Sequence, residues 1–205
     1  MSGTMRIPIF LLATLALPAL AAGQVGHGQT WESVTWSMSA PTANTKDFAS
    51  PFSFRGVNLS WRKRVGGRAA AGLDVGWSVL NEETAQTSTF DQADITGQQF
   101  RYFNAFPILA SIDLGLGNPH GVHPLLGLSV GTYYIERELD IGLWAISDNN
   151  WHVGLAPSLG LLIPLGGGMD DATAIVRARY NYAFASGQAP YQSWLGIDVG
   201  FAFAP

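Results

Sequence analysis

His152 is the residue best suited by type to acid–base chemistry, and the chain offers it few partners. A nucleophilic hydrolase needs a serine, a histidine and a carboxylate within hydrogen-bond reach. In an extended segment the same-face neighbours of His152 are Gly154 and Ala156, and Ser158 follows about 20 Å along the strand. Only a cross-strand partner would complete a triad. His120 and His123 form a His-x-x-His pair, but two imidazoles without a nearby third ligand do not make a metal site. Asp170 and Asp171, after Gly166-Gly167-Gly168, and Asp140 with Asp148 could offer oxygens to a hard cation; solvated turn residues are the simpler reading. No catalytic residue, metal or cofactor follows from these groups.

A second constellation is charged. Arg177 and Arg179 alternate with Val176, Ala178 and Tyr180, so both guanidinium groups project to one face of a strand. Asp198 takes the same phase in the closing segment, and Arg-to-Asp bridging between two neighbouring strands is expected. Arg62, Asp74 and Asp113 share that phase in their own segments, as do Arg68, Arg101, Arg137 and His152. Both signs of charge would therefore converge on one side of a sheet, with Arg62, Asp74, Asp113, Arg177, Arg179 and Asp198 as its candidate network.

The elements that position these groups are strands. From Arg68 to Val79, Ala69, Ala71, Leu73, Val75, Trp77 and Val79 oppose Arg68, Ala70, Gly72, Asp74, Gly76 and Ser78, a period of two. Leu195, Ile197, Val199, Phe201 and Phe203 repeat the pattern against Gly196, Asp198, Gly200 and Ala202. Alternation centred on Val34–Met38, Val57–Trp61, Phe106–Leu114, Leu126–Tyr134, Val153–Ile163 and Val176–Tyr182 brings the count to eight. Pro107 and Pro157 lie inside two of these segments, where a missing N–H predicts a bulge or kink.

The connections alternate too. Those at 65–67, 115–123 and 166–171 are mostly short and glycine-rich, whereas 40–51, 81–99, 138–150 and 185–192 are polar. An outer-membrane barrel has tight periplasmic turns and longer external loops. Loop 81–99, with Glu82, Glu83, Asp91 and Asp94, is the longest candidate recognition surface. Trp77, Tyr102, Tyr134, Trp151, Tyr180 and Tyr182 fall near the loop ends of their strands and Trp61, Phe201 and Phe203 near the turn ends, as two interfacial girdles would.

The amino-terminal region supports export. Arg6 precedes an apolar run from Ile7 to Leu20, and Ala19-Leu20-Ala21 supplies small residues at a cleavage spacing, so residues 1–23 read as a signal peptide and 24–205 as one barrel domain. Pro8 and Pro18, in a run too short to span, argue against an anchoring helix. Charged residues are only 13% of the chain, the net charge is -4 and there is no cysteine. No basic field exists to hold nucleic acid, and no disulfide or thiolate site is possible. A soluble barrel or β-sandwich would present a more highly charged outer face.

The run Trp31 to Pro41, then Phe54-Arg55-Gly56-Val57, Phe106-Pro107, Val130-Gly131-Thr132-Tyr133-Tyr134 and the closing Gly200-Phe201-Ala202-Phe203 resemble the small outer-membrane β-barrel family of OmpA/OmpX type. The resemblance implies an eight-stranded antiparallel up-and-down transmembrane barrel in the bacterial outer membrane. It also implies outer-membrane lipid and the barrel-assembly machinery as partners, the latter reading a last strand that commonly ends in an aromatic residue. Here Phe203 is followed by Ala204 and Pro205, a departure from that pattern.

An eight-stranded barrel is only wide enough for its own side chains, so the expected lumen is polar and closed. The expected function is non-enzymatic: an envelope scaffold, or presentation of loops to an extracellular ligand. A narrow channel or carrier for small solutes or apolar compounds is the alternative, with Phe90, Phe100, Trp144 and Ile146 compatible with an apolar path; a lipid-modifying barrel enzyme is the second.

Overall fold

The period-two segments all become strands. The computed structural model describes residues 30–90, 93–116, 121–142, 144–166 and 173–203. Its elements are β1 (Thr30–Thr42), α1 (Ala43–Phe48), β2 (Arg55–Gly66), β3 (Ala69–Phe90), β4 (Ala93–Gly115), β5 (His123–Ile141), β6 (Trp144–Pro164), β7 (Thr173–Ala183) and β8 (Gln192–Phe203). Each strand pairs antiparallel with the next, and β1 with β8, closing the sheet into an eight-stranded barrel. Closure runs from Glu32 opposite Phe203 to Thr42 opposite Ser193. It leaves no open edge in the barrel wall.

The pleat sorts the residues to two faces. Leu73, Val75, Ile108, Ile112, Leu128, Val130, Leu159 and Phe201 are exposed on the outer wall, Leu159 at 64%. Asp74, Ser111, Asp113, Ser129, Ser158 and Arg177 alternate with them and are buried inside. This is the reverse of a soluble barrel, whose apolar residues point inward. Around the outside, Trp77, Phe106, Tyr134 and Trp151 touch in succession across β3, β4, β5 and β6, with ring centroids 6.1, 6.2 and 5.2 Å apart.

Several expectations need correction. Residues 81–99 and 138–150 are not loops: β3 and β4 stay paired from Asn81 opposite Tyr102 to Phe90 opposite Ala93, and β5 and β6 to Ile141 opposite Trp144. The Thr-rich stretch of β3 and the Trp-Ala-Ile start of β6 suit a pleated ribbon, so the two hairpins continue beyond the barrel. Pro107 and Pro157 cause no bulge. Each leaves a gap in one ladder, β3–β4 and β6–β7 respectively, while register is kept on either side and the opposite ladder is unbroken. The β2–β3 ladder does shift, between Arg64 and Gly66 at the turn, where Gly67 adopts the left-handed conformation (φ 48°) that glycine takes without steric cost. Arg68 sits in that turn and is exposed rather than inside.

Candidate functional site: the filled lumen

The interior is built in three layers. Near the turn end, Trp31, Ala70, Leu125, Leu162, Ile175 and Ala202 pack into an apolar floor. Near the loop end, Leu80, Phe103, Tyr133, Ile135 and Trp194 form an apolar roof that reaches Ala49 in the first loop. The Trp194 ring meets Phe103 and Tyr133 edge-on, at centroid distances of 5.7 and 5.6 Å, a favoured arrangement of aromatic quadrupoles. The expectation of a polar lumen therefore holds only for the layer between them. Floor and roof are apolar because adjacent large residues there occupy both phases of the strand.

The middle layer brings together all six charged residues named from the sequence. Asp113 Oδ2 accepts from Arg62 Nε at 2.7 Å and from Arg177 Nη2 at 2.9 Å. Arg62 Nη2 donates to both carboxylate oxygens of Asp74, at 2.9 and 3.1 Å. Arg179 Nη2 lies 3.5 Å from Asp74 Oδ1 and 3.6 Å from Asp198 Oδ2. The result is a chain of alternating sign, Arg177, Asp113, Arg62, Asp74, Arg179, Asp198, in which three arginines face three aspartates. All six are buried. Charges removed from water need both partners and hydrogen bonds to their remaining lone pairs, and serines supply some of these. Ser129 Oγ donates to Asp74 at 3.0 Å and Ser37 Oγ donates to Asp198. Arg62 Nη1 is taken up by the carbonyls of Leu73 (3.0 Å) and Trp61 (3.2 Å).

Glycine makes room for this layer. A Cβ on Gly127 would overlap Asp113 Oδ1 and Ser158 Oγ, so β5 must present a bare backbone beside the carboxylate that Arg62 and Arg177 share. The bridging expected between β7 and β8 forms through Arg179, 3.6 Å from Asp198, and not through Arg177, although Arg177 is the register partner of Asp198. Arg177 reaches across the barrel, and Asp198 is left to Arg179 and Ser37. Beside Arg179 and Asp198 a cavity of about 10 Å³ remains, lined also by Asn58 and Asn181, at the lower limit for one water molecule.

Of the other charges expected in the lumen, Arg101, Arg137 and His152 lie at its loop end. Arg137, at 26% exposure, pairs with Asp148 at 3.4 Å. Arg101 donates to the Phe48 carbonyl at 3.4 Å and to Gln99 Oε1 at 3.3 Å. His152 is buried with Nδ1 2.7 Å from the Phe184 carbonyl, a contact that ties β6 to the β7–β8 connection. The first loop closes over this end as α1. Thr45 Oγ1 donates to Gln192 Oε1 and accepts from the Ser193 N–H, each at 2.9 Å, and Asn44 Nδ2 donates to the Tyr191 carbonyl at 3.0 Å. The sequence reading missed this lid and the roof beneath it. Among the described residues no group of three His, Asp or Glu side chains converges as a metal site. His120, Asp170, Asp171, Asp91 and residues 1–23 lie outside the described residues, as do Ala204 and Pro205.

No family model matches the chain, and no curated protein matches it. Solved structures do. The outer membrane protein OprG from Pseudomonas aeruginosa aligns with a TM-score of 0.50 at 11% identity, over 87% of this chain and 96% of that one. Ail, the attachment invasion locus protein of Yersinia pestis, aligns at 0.48 and 12%, over 86% and 99%. Neisserial surface protein A aligns at 0.46 and 13%, over 84% and 92%. At 11% identity the likeness to OprG is one of fold alone.

Proposed function

We propose that this protein is an integral barrel of the bacterial outer membrane whose lumen is closed and whose long hairpins are held out for contact with an external partner. The membrane reading is supported by the outer wall. Exposed and half-buried apolar side chains run from the Trp77–Phe106–Tyr134–Trp151 belt down to Leu73, Leu114 and Phe201. From Phe106 to Leu114 this covers roughly 27 Å of strand, or about 20 Å once tilted, near the apolar height of outer-membrane barrels. No described helix is long and apolar enough to cross a membrane, so any crossing is by strands. Residues 1–23 would be the export signal and be removed; mass spectrometry of the mature amino terminus tests this.

The observation that carries the closed-lumen reading is the unbroken stack of apolar floor, ion-pair chain and aromatic roof. A solute passing through would have to separate Arg62 from Asp74 and Asp113 and also displace Trp194, and each step opposes several kcal/mol of buried contact. The scaffold reading needs no such movement. His152, engaged with a backbone carbonyl on an interior face, acts in it as a structural tie, and the reading is non-enzymatic. Lipid and the barrel-assembly machinery are its partners, with no cofactor.

Reconstitution in a planar bilayer tests the proposal. Electrical silence of the folded protein is expected. Stable conductance that changes on Arg177→Ala would overturn the closed lumen in favour of a channel.

A further inference from the structure

At the loop-end mouth, above the aromatic roof, two arginines outside the ion-pair chain are brought side by side. Arg101 of β4 pairs with Leu139 and Arg137 of β5 pairs with Phe103. The two guanidinium-bearing residues are thus diagonal neighbours on the inner face. Phe48, the last residue of α1, lies against both: its ring centroid is 6.0 Å from the Arg101 guanidinium carbon and 5.1 Å from that of Arg137. Together with Leu139 and Pro190 they line an open pocket of about 370 Å³, to which Asn44 and Asp47 of α1 also contribute.

We propose that this pocket binds a small organic anion, one carboxylate or phosphate group carried on an apolar body. Two planar guanidinium groups, each with five donors in a fixed fork, can serve their intramolecular partners and an incoming anion together. Phe48, Leu139 and Pro190 supply an apolar wall for the body of the ligand, and the volume lies in the range of small-molecule sites. The Asp148 carboxylate on Arg137 is half exposed and 3.4 Å away, a weak tie that an anion can replace. Asp47 disfavours a second negative group and accepts a hydrogen bond from a hydroxyl or amine. The site opens on the inner face of the mouth rather than on the outer wall, so its ligand is soluble, not a lipid headgroup.

This deepens the proposed surface role, resting on that reading for which end faces outward. Its test is independent of conductance and orientation. The full-length folded barrel in neutral detergent micelles is titrated with phenyl phosphate by calorimetry. Saturable binding is expected, weakened about tenfold or more by Arg101→Gln and by Arg137→Gln. Asp148→Asn should tighten it several-fold, and inorganic phosphate should bind more weakly than phenyl phosphate. Absence of saturable binding, or affinity unchanged in both arginine variants, would overturn the proposal. If an arginine variant loses heat-modifiable gel migration, Phe48→Ala decides instead: weaker binding of phenyl phosphate supports the site and unchanged binding refutes it. In nanodiscs, displacement of phenyl phosphate by added phosphatidylglycerol would refute the soluble source, and persistence of binding supports it.

Discussion

Arg177 stands directly opposite Asp198 in the β7–β8 ladder, yet its guanidinium bonds Asp113 of β4 across the barrel at 2.9 Å. Cross-strand neighbours are the usual partners in a sheet. In a closed barrel, however, the lumen puts a distant strand within reach of a long side chain, and Asp113 is already oriented by Arg62.

The two aspartates at the ends of this pair should therefore respond differently to neutralisation. Asp113→Asn strips a charge partner from both Arg62 and Arg177 and should cost about 3–5 kcal/mol, the loss typical of breaking a buried pair. Asp198→Asn should cost clearly less, because Arg179 keeps Asp74 at 3.5 Å. Urea unfolding in micelles, read by the shift between folded and unfolded gel bands, ranks the two. Equal losses would mean that the chain is not organised around Asp113.

Space around the same carboxylate gives a second prediction. Gly127→Ala places a methyl against Asp113 Oδ1 and Ser158 Oγ, and should destabilise by about 1–3 kcal/mol as overpacking does. Gly160→Ala on β6 meets the Val176 carbonyl at 3.4 Å and Arg177 Cβ at 3.6 Å, ordinary contact distances. It should stay within about 0.5 kcal/mol. The same unfolding assay measures both, and a reversed order would contradict the packing described.

Thr45 fastens the lid. Thr45→Ala removes a donor to Gln192 and an acceptor for the Ser193 N–H in a buried setting, worth about 1–3 kcal/mol locally. Limited proteolysis of the intact barrel should cut the 43–54 segment several-fold faster than in the parent, with the wall unchanged. An identical cleavage rate would show that α1 is held by other contacts.

The sequence carried the wall and the charged layer but not the three-layer interior, for a reason visible in particular residues. Period-two alternation assigns Arg62, Asp74, Asp113, Arg177, Arg179 and Asp198 to one face because each has an apolar neighbour of the opposite phase, on both sides for all but Arg62, which stands between Trp61 and Lys63. Roof and floor residues break that rule. Val79-Leu80, Tyr133-Tyr134 and Trp194-Leu195 put large apolar groups on both faces at once, as do Leu125-Leu126, Leu161-Leu162 and Ile175-Val176. Such doublets at the ends of the barrel wall signal an apolar interior layer, and alternation scored on the outer phase alone overlooks them. Arg68 was misassigned for the opposite reason: the parity continues past the strand into a turn, where it no longer orients a side chain. Which aspartate each arginine selects depends on lumen-crossing distances that local spacing does not encode.

The outer wall yields the last prediction, and it separates a lipid-facing surface from one exposed to water. Leu128 is on the outer face of β5, between Leu126 and Val130 and well below the belt residue Tyr134. In a bilayer, Leu128→Arg should cost about 2–4 kcal/mol, the penalty for a cation near the midplane of a barrel, whereas a site beyond the belt should cost about 0–1 kcal/mol. Trp144, 71% exposed at the far end of the β5–β6 hairpin, is such a site, so Trp144→Arg should fold into liposomes like the parent. Folding yield and unfolding free energy in liposomes measure the difference between these outward-facing positions. A depth-dependent penalty fits hydrocarbon contact, in which the cost of a charge falls from the midplane to the interfaces. If both substitutions were tolerated, the apolar outer wall would have to be explained without lipid.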